Sequence, residues 1–329
     1  MRAIFHSFCS TFCLSPFYFC LFTSLPYPAD VLRRNVLIFH TGALGDFILA
    51  WPLAMAAGRL FPQSRIICVT HAQKGVLAEK ALRVEWADIE GGWHRLFSDG
   101  ELPPPAGKTL AGAHTIFTFL GQPNDDWSRN VRAINPEVNL HYLRTQPPAN
   151  FAGHASEYLL ESLSSTPAVQ KAVEQILRSV ADRGLGVRTS NELTLIHPGS
   201  GSREKCWPIP HFTELAKRLT ASGHTVRFLI GEVERERFSA SDLRQLMSAA
   251  PVVEPQNLIE LYRELTFARA FIGNDSGPTH LASIMGVPTI ALFGPTDPAV
   301  WKPLGPRVQV LRESSIEQIT ADDVVASMT

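Results

Sequence analysis

Two doubly wound α/β halves are predicted by three features of this sequence. Short apolar runs alternate with helical patterns, the pattern breaks once at a pair of glycines, and it then restarts. Alternation of this kind implies parallel sheets, because a parallel pair of strands needs a crossover helix between them.

In the first half, residues 36–40 form an apolar run that ends in Thr41-Gly42-Ala43-Leu44-Gly45-Asp46. Phe47, Leu49, Leu53, Ala54 and Ala57 then recur at helical spacing, which reads as strand, tight loop, helix. Residues 66–70 and 114–120 read as further strands, with helices near 74–82 and 127–134. Pro103-Pro104-Pro105 is expected to be an exposed connection. Helical patterns over 155–163 and 168–183 follow, and Arg183-Gly184-Leu185-Gly186-Val187 then interrupts the periodicity. The linker is placed there, giving an N-terminal half of 31–185 and a C-terminal half of 186–329. The second half is expected to hold strands over 193–197, 225–230, 270–273 and 289–293, with helices over 212–222, 237–249, 258–269 and 278–285. Its last helix is a candidate to pack back on the N-terminal half. Ligands of such sheets sit beyond the carboxyl ends of the strands, so the loops after His40, His197, Ile230, Gly273 and Phe293 matter most.

Composition narrows the chemistry. The 329 residues, 45% hydrophobic and 19% charged, suffice for two buried cores. Thirty basic against 31 acidic residues leave a formal charge of -1, so no global field recruits nucleic acid, and an anionic ligand must be held by local groups. Three of the five cysteines, Cys9, Cys13 and Cys20, lie near the start, which is no disulfide framework. Histidines and cysteines fall at no zinc-ligand spacing, and neither a metal nor a cofactor is expected. Residues 1–30 read as a leader outside the folded body. A signal peptide is one reading, but Ser15, Pro16, Ser24 and Pro26 interrupt its apolar run, and a translation start near Val31 is favoured. Nothing later approaches the roughly 20 apolar residues that span a bilayer.

Three loops carry candidate chemistry. Gly42 and Gly45 allow close approach of a ligand or another backbone, and Asp46 is either a base facing the cleft or an acid that favours a helix N-terminus. In His197-Pro198-Gly199-Ser200-Gly201-Ser202, followed by Lys205, small residues expose N–H groups and hydroxyls while the lysine adds a point charge. That suits a diphosphate, and a solvated loop is the alternative. Trp207-Pro208 reads as structural, and His197 as a satisfied strand-end residue. In residues 271–282 a strand runs through Asn274-Asp275-Ser276-Gly277 into a helix opened by Pro278, whose missing N–H is not needed in a first turn. The free N–H groups there suit a phosphate oxygen. Asp275 should accept hydrogen bonds from sugar hydroxyls or from the loop, although a capping role for Asp275 or Ser276 is also open. Residues 293–298, with Trp301, read as a scaffold turn.

With these loops in order, the chain resembles the ADP-heptose:lipopolysaccharide heptosyltransferase family (glycosyltransferase family 9) over about 36–310. The likeness is strongest in G-N-D-S-G-P-T-H-L-A and P-T-I-A-L-F-G-P-T-D-P, with G-x-L-G-D at Gly42 to Asp46 and Lys205-Cys206-Trp207-Pro208 between them. The resemblance implies a GT-B fold and an inverting, metal-independent glycosyltransferase. Its donor would be a nucleotide sugar, ADP-heptose, and its acceptor a lipid-linked or oligosaccharide glycan such as lipopolysaccharide. It implies Asp46 as the base that deprotonates the acceptor hydroxyl, and Lys205 on the donor diphosphate with Ser200 and Gly201 beside it. Glu232 would meet the nucleoside, and Asp275, Ser276, Gly277, Pro278 and His280 would surround the donor. A cytoplasmic location is implied, with peripheral association at the inner membrane left open. The sequence departs from the family between Gly121 and Ser190, on the acceptor side. There Asp125, Asp126, Arg129 and Arg132 are either acceptor contacts or a solvated helix start. A non-catalytic sugar-nucleotide-binding protein and a sugar-nucleotide epimerase are the competing readings, since fold alone proves no activity.

Overall fold

The structure is a computed structural model that describes residues 34–98, 101–187 and 193–328; the leader expected at 1–30 lies outside them. The first half begins with β1 (Asn35–Phe39), whose five residues are all buried, and continues with α1 (Leu44–Leu49) and α2 (Trp51–Leu60). Then come β2 (Arg65–Thr70), α3 (Ala72–Leu82), β3 (Glu85–Asp88), α4 (Pro104–Ala111) and β4 (Ala113–Thr118). Helix α5 (Asp126–Ile134), β5 (Asn139–Tyr142), α6 (Ala155–Ser162) and α7 (Pro167–Arg183) complete it.

The second half runs β6 (Leu193–His197), α8 (Ile209–Ala221), β7 (Thr225–Leu229), α9 (Glu232–Arg237), α10 (Ala240–Ala249) and β8 (Val252–Val253). It closes with α11 (Leu258–Thr266), β9 (Ala268–Asn274), α12 (Gly277–Met285), β10 (Thr289–Phe293), α13 (Pro298–Trp301), β11 (Val308–Arg312) and α14 (Ala321–Ala326).

The strands form two sheets, β3-β2-β1-β4-β5 and β11-β10-β9-β6-β7-β8, in which every pairing is parallel. Strand order reverses between β1 and β4 in the first sheet and between β6 and β9 in the second. Crevices open at such reversals, because the loops of the two central strands leave toward opposite faces. The three loops singled out above follow β1, β6 and β9, so topology alone aims them at the two crevices.

Several expectations need correction. Strands β3, β5, β8 and β11 were not expected, and all four are sheet edges. Their residues are half-buried or exposed, so no apolar run marks them. The three prolines do not form a loose connection: Pro103 is the N-cap of α4 and Pro104 opens its first turn, where fixed φ and a missing N–H are tolerated. The helix expected over 237–249 starts later, as α10, where the Ser239 hydroxyl accepts from the Asp242 N–H and caps it, and α9 before it was not expected. The last helix does not turn back to the N-terminal half. Val324 of α14 is buried in one cluster with Phe212, Leu215 and Leu219 of α8, and Arg218 pairs with Asp322 across the two.

The halves meet through α1 against α12 and α3 against α11. At the first contact there is almost no side chain between them. A Cβ on Gly277 would lie 2.8 Å from Leu44 Cβ, and one on Gly45 would lie 3.3 Å from the His280 ring. The linker is fitted as closely. Gly184 has φ of 60°, its hypothetical Cβ would sit 2.8 Å from the Ile284 carbonyl, and the Leu185 N–H donates to that same oxygen at 2.7 Å. Gly184→Val is therefore expected to destabilise the protein by about 2–3 kcal/mol, through positive φ and collision together. Gly186→Ala, with φ of 69° and open space around it, should cost about 1 kcal/mol. Equal losses for the two in chemical denaturation would refute the collision.

Candidate active site

Asn274, at the end of β9, organises the donor side. Its side chain is fully buried; the amide nitrogen donates to the carbonyls of Pro198 (2.9 Å) and Gly199 (3.2 Å), and its oxygen accepts from the Trp207 N–H (3.0 Å). One residue thus ties the β9 loop to both ends of the β6 loop. The Ser200 hydroxyl adds a bond to the Asp275 carbonyl at 2.7 Å, and Arg237 donates to the Gly201 carbonyl at 2.9 Å. Backbone carbonyls in this loop are thereby engaged, which leaves N–H groups to serve an anion.

Asp275 is buried, and Oδ2 accepts from Lys205 Nζ and from the Thr296 hydroxyl, each at 2.9 Å. Oδ1 faces His280 Nε2 at 3.7 Å. Burial opposes the charged form, but the His280 and Lys205 contacts outweigh it and hold the carboxyl at about 2. The Asp275 partners come from the loops after β6 and β10 and from α12, and neither Asp275 nor Ser276 caps the helix through its side chain. Ser276 occupies the N-cap of α12, yet its hydroxyl meets Thr279 Oγ1 at 3.0 Å and no backbone N–H. The first N–H groups of α12 therefore remain open to a ligand.

Asp46 lies in the first turn of α1. Burial pushes its carboxyl above the ordinary range, His280, Lys205 and Lys74 draw it back down, and Asp275 adds to the rise. The carboxylate thus lies near the loops after β6 and β9, with charged neighbours from both halves of the chain. A carboxylate moved toward neutral pH is a better proton acceptor than an ordinary surface aspartate.

A cavity of about 420 Å³ adjoins this polar corner. Ser200, Gly201, Glu232, Ser276, Gly277 and Pro278 line it, and Leu44 and Gln73 reach it from the N-terminal half. Apolar walls from Leu229, Val233, Pro255 and Leu261 suit the flat face of a nucleobase. Asp46, Lys205, Asp275 and His280 lie outside its lining, with Asp275 in contact with both Lys205 and His280. A larger depression of about 900 Å³ around Arg269, Thr289 and Val308 lies at the amino ends of β9, β10 and β11, the end at which sheets of this kind do not hold ligands. Among the described residues no group of three or more His, Cys, Asp or Glu is placed to hold a metal ion.

The predicted residues thus fall into two adjoining sets, with Gly42 and Gly45 shaping the loop that carries Asp46. His197 is the satisfied residue expected, its Nδ1 lying 3.0 Å from the Leu229 carbonyl. In the 122–132 segment Asp125 caps α5 by accepting from the Ser128 N–H, and Asp126 pairs with Arg129. Those contacts account for a helix start. Sequence reasoning missed Lys74, Thr296, Arg237 and the tying role of Asn274. Thr296 stands in the loop after β10, a strand end of the kind that marks a site, and that was its available signal; Lys74 gave none.

Two open α/β sheets, with crevices facing one interface and an anion-ready helix terminus opposite a basic carboxylate, define a GT-B glycosyltransferase. Solved structures agree on the fold. A family 9 glycosyl transferase from Veillonella parvula superposes with a TM-score of 0.66 at 19% identity, covering 90% of this chain and 96% of its own. The E. coli heptosyltransferase WaaC with ADP gives a TM-score of 0.65 at 20% identity, covering 89% of this chain and 98% of its own. The chain belongs to glycosyltransferase family 9 (heptosyltransferase), whose family model matches residues 137–325. Lipopolysaccharide heptosyltransferase 1 of Pseudomonas aeruginosa is 40% identical over 292 residues, covering 80% of this chain and 79% of that protein.

The Asp275 cluster has a measurable consequence. With its folded carboxyl at about 2 against an ordinary 3.8, the stabilisation is complete above pH 4 and is lost as pH falls toward 2. About 2 kcal/mol is at stake. Acid unfolding of Asp275→Asn should lack this part of the slope, and an unchanged slope below pH 4 would show that the cluster does not form.

Proposed function

We propose that this protein transfers heptose from ADP-heptose to a lipopolysaccharide acceptor by a single inverting displacement that needs no metal, with Asp46 as the base. The observation that carries this reading is the convergence of Asp46, from the N-terminal half, with His280, Lys205 and Asp275 of the donor half. A nucleotide-binding protein without activity has no use for a carboxylate with a raised pKa at that position. The similarity to the Pseudomonas heptosyltransferase supports the heptose donor and the lipopolysaccharide acceptor, and WaaC, solved with ADP on the same fold, supports the adenine nucleotide.

The nucleoside would occupy the cavity beside Glu232, and the diphosphate would lie between Lys205, the Ser200-Gly201 loop and the start of α12. An ammonium has three N–H donors, so Lys205 can keep Asp275 and still meet a phosphate oxygen. Asp275 then acts on the donor indirectly, by fixing Lys205 and His280. As the bond from the anomeric carbon to the diphosphate breaks, negative charge grows on the leaving oxygen, where the lysine and the helix N–H groups stabilise it. Asp46 takes the proton of the acceptor hydroxyl as that oxygen attacks the opposite face. A lipid-linked acceptor brings the protein to the cytoplasmic face of the inner membrane as a peripheral enzyme; among the described residues no helix is long and apolar enough to cross.

Acceptor-dependent ADP release from ADP-heptose is the test. Asp46→Ala is expected to lower kcat about 10²–10⁴-fold while ADP affinity stays within about threefold. Lys205→Met should weaken ADP binding about tenfold or more, having lost a charge-assisted contact. Undiminished transfer by Asp46→Ala, or release equal in the presence and absence of every acceptor tried, would remove the proposal.

A further inference from the structure

Lys74 belongs to none of the family-like loops, yet it contacts the one that carries Asp46. From the first turn of α3 its Nζ donates to the carbonyls of Thr41 (3.0 Å) and Gly42 (2.5 Å), and it stands 5.9 Å above the ring centroid of Phe47. Those acceptors lie just before α1, and Phe47 follows Asp46 directly. Helix α1 is six residues long, and its N-cap is Ala43, which offers no capping side chain. With glycines at 42 and 45, the segment has little of its own to fix its direction.

We propose that Lys74 is a positioning residue for the transfer step: it clamps the Thr41 and Gly42 carbonyls and sets a fixed positive charge beside the Asp46 carboxylate. The inference rests on the reading of Asp46 as base. Two carbonyl acceptors on one nitrogen are what an ammonium satisfies, and its third N–H is available to Asp46. The electrostatic link is mutual: Lys74 draws the Asp46 carboxyl down, and Asp46 raises a lysine that burial lowers. The other ionisable groups around Asp46 are His280 on α12, Lys205 after β6 and Asp275 after β9. His40, beneath the loop, is held neutral by burial and by Lys74 itself, its imidazole at about 3, and does not titrate in the working range. Lys205 and His280 sit on the donor side, where a bound diphosphate engages the lysine. Lys74 is the cation on the acceptor side of the same carboxylate. It therefore adds to His280 in favouring the ionised form of Asp46 in the loaded enzyme, when Lys205 is occupied.

The experiment is the pH profile of kcat and kcat/KM for ADP release from ADP-heptose with a heptose-free lipopolysaccharide acceptor. Wild type, Lys74→Met, Lys74→Arg and Asp46→Ala are compared, with ADP affinity measured by calorimetry. A base works in its ionised form, so losing the cation raises the Asp46 pKa and moves the acidic limb to higher pH in Lys74→Met. On that limb turnover falls severalfold and recovers toward wild type as pH rises, and ADP affinity stays within about threefold, since Lys74 is off the donor cavity. Lys74→Arg keeps the charge and should keep the limb where wild type has it. Lys74→Gln carries the same expectation as the methionine variant if that protein fails to fold. An acidic limb unmoved in the neutral variants, or a defect confined to ADP affinity, overturns the role of Lys74 while Asp46→Ala remains inactive. If Asp46→Ala retains turnover, the base assignment fails and this inference falls with it.

Discussion

Everything at this site depends on the closeness of α1 and α12. Gly45 lies under the His280 ring and Gly277 under Leu44, with room for no further carbon at Gly277. Two helix starts, each following the central strand at a reversal of strand order, are thereby brought face to face. One carries a carboxylate and the other presents N–H groups. Replacing hydrogen with even a methyl at that seam separates Asp46 from the loop after β9, and under the proposed mechanism catalysis by proximity is steeply sensitive to displacements of that size.

The second dependence is electrostatic. Asp46 and Asp275 share cations, and burial acts on both, yet they end in opposite states. Asp275 sits among Lys205, Thr296 and His280 and stays well below the ordinary carboxylate range, whereas Asp46, with cations nearby but none bonded to it, is raised. Direct hydrogen bonds to the charged form separate the two. The result is one carboxylate that stays ionised and orders the loops around it, and one whose pKa is raised, as the proposed base requires. Measured against apolar residues of the same shape, a buried ion cluster adds little stability, because desolvation offsets attraction, although breaking one already built is costly. Their value here is orientation.

The central strands were legible because each is an apolar run closed by glycine or a polar loop, and burial on both faces demands such a run. Edge strands β3, β5, β8 and β11 were not, since a half-exposed strand takes its extended form from the neighbour it pairs with. The reading of Pro103 to Pro105 failed for a related reason: a proline cluster is compatible both with a loop and with a first helical turn, and only the helix that follows decides between them. Around the candidate site, Asp46, Lys205 and Asp275 stand out in the sequence because each follows a strand end in or beside a loop with its own chemistry, and His280 lies in the first turn of the helix behind one such loop. Lys74 and Arg237 were not found, since they act from helix surfaces on the backbone of loops far away in sequence.

By itself, then, the sequence determined the strand-loop-helix units, the two-part division and the residues that close each strand, all of them consequences of periodicity and short-range turn chemistry. The tertiary structure decided which of those residues meet. That Asp46 faces His280 and not solvent follows from two glycines 232 positions apart fitting against the opposite helix. Contact between distant segments depends on how whole sheets are joined, and that leaves no pattern in the local order of side chains.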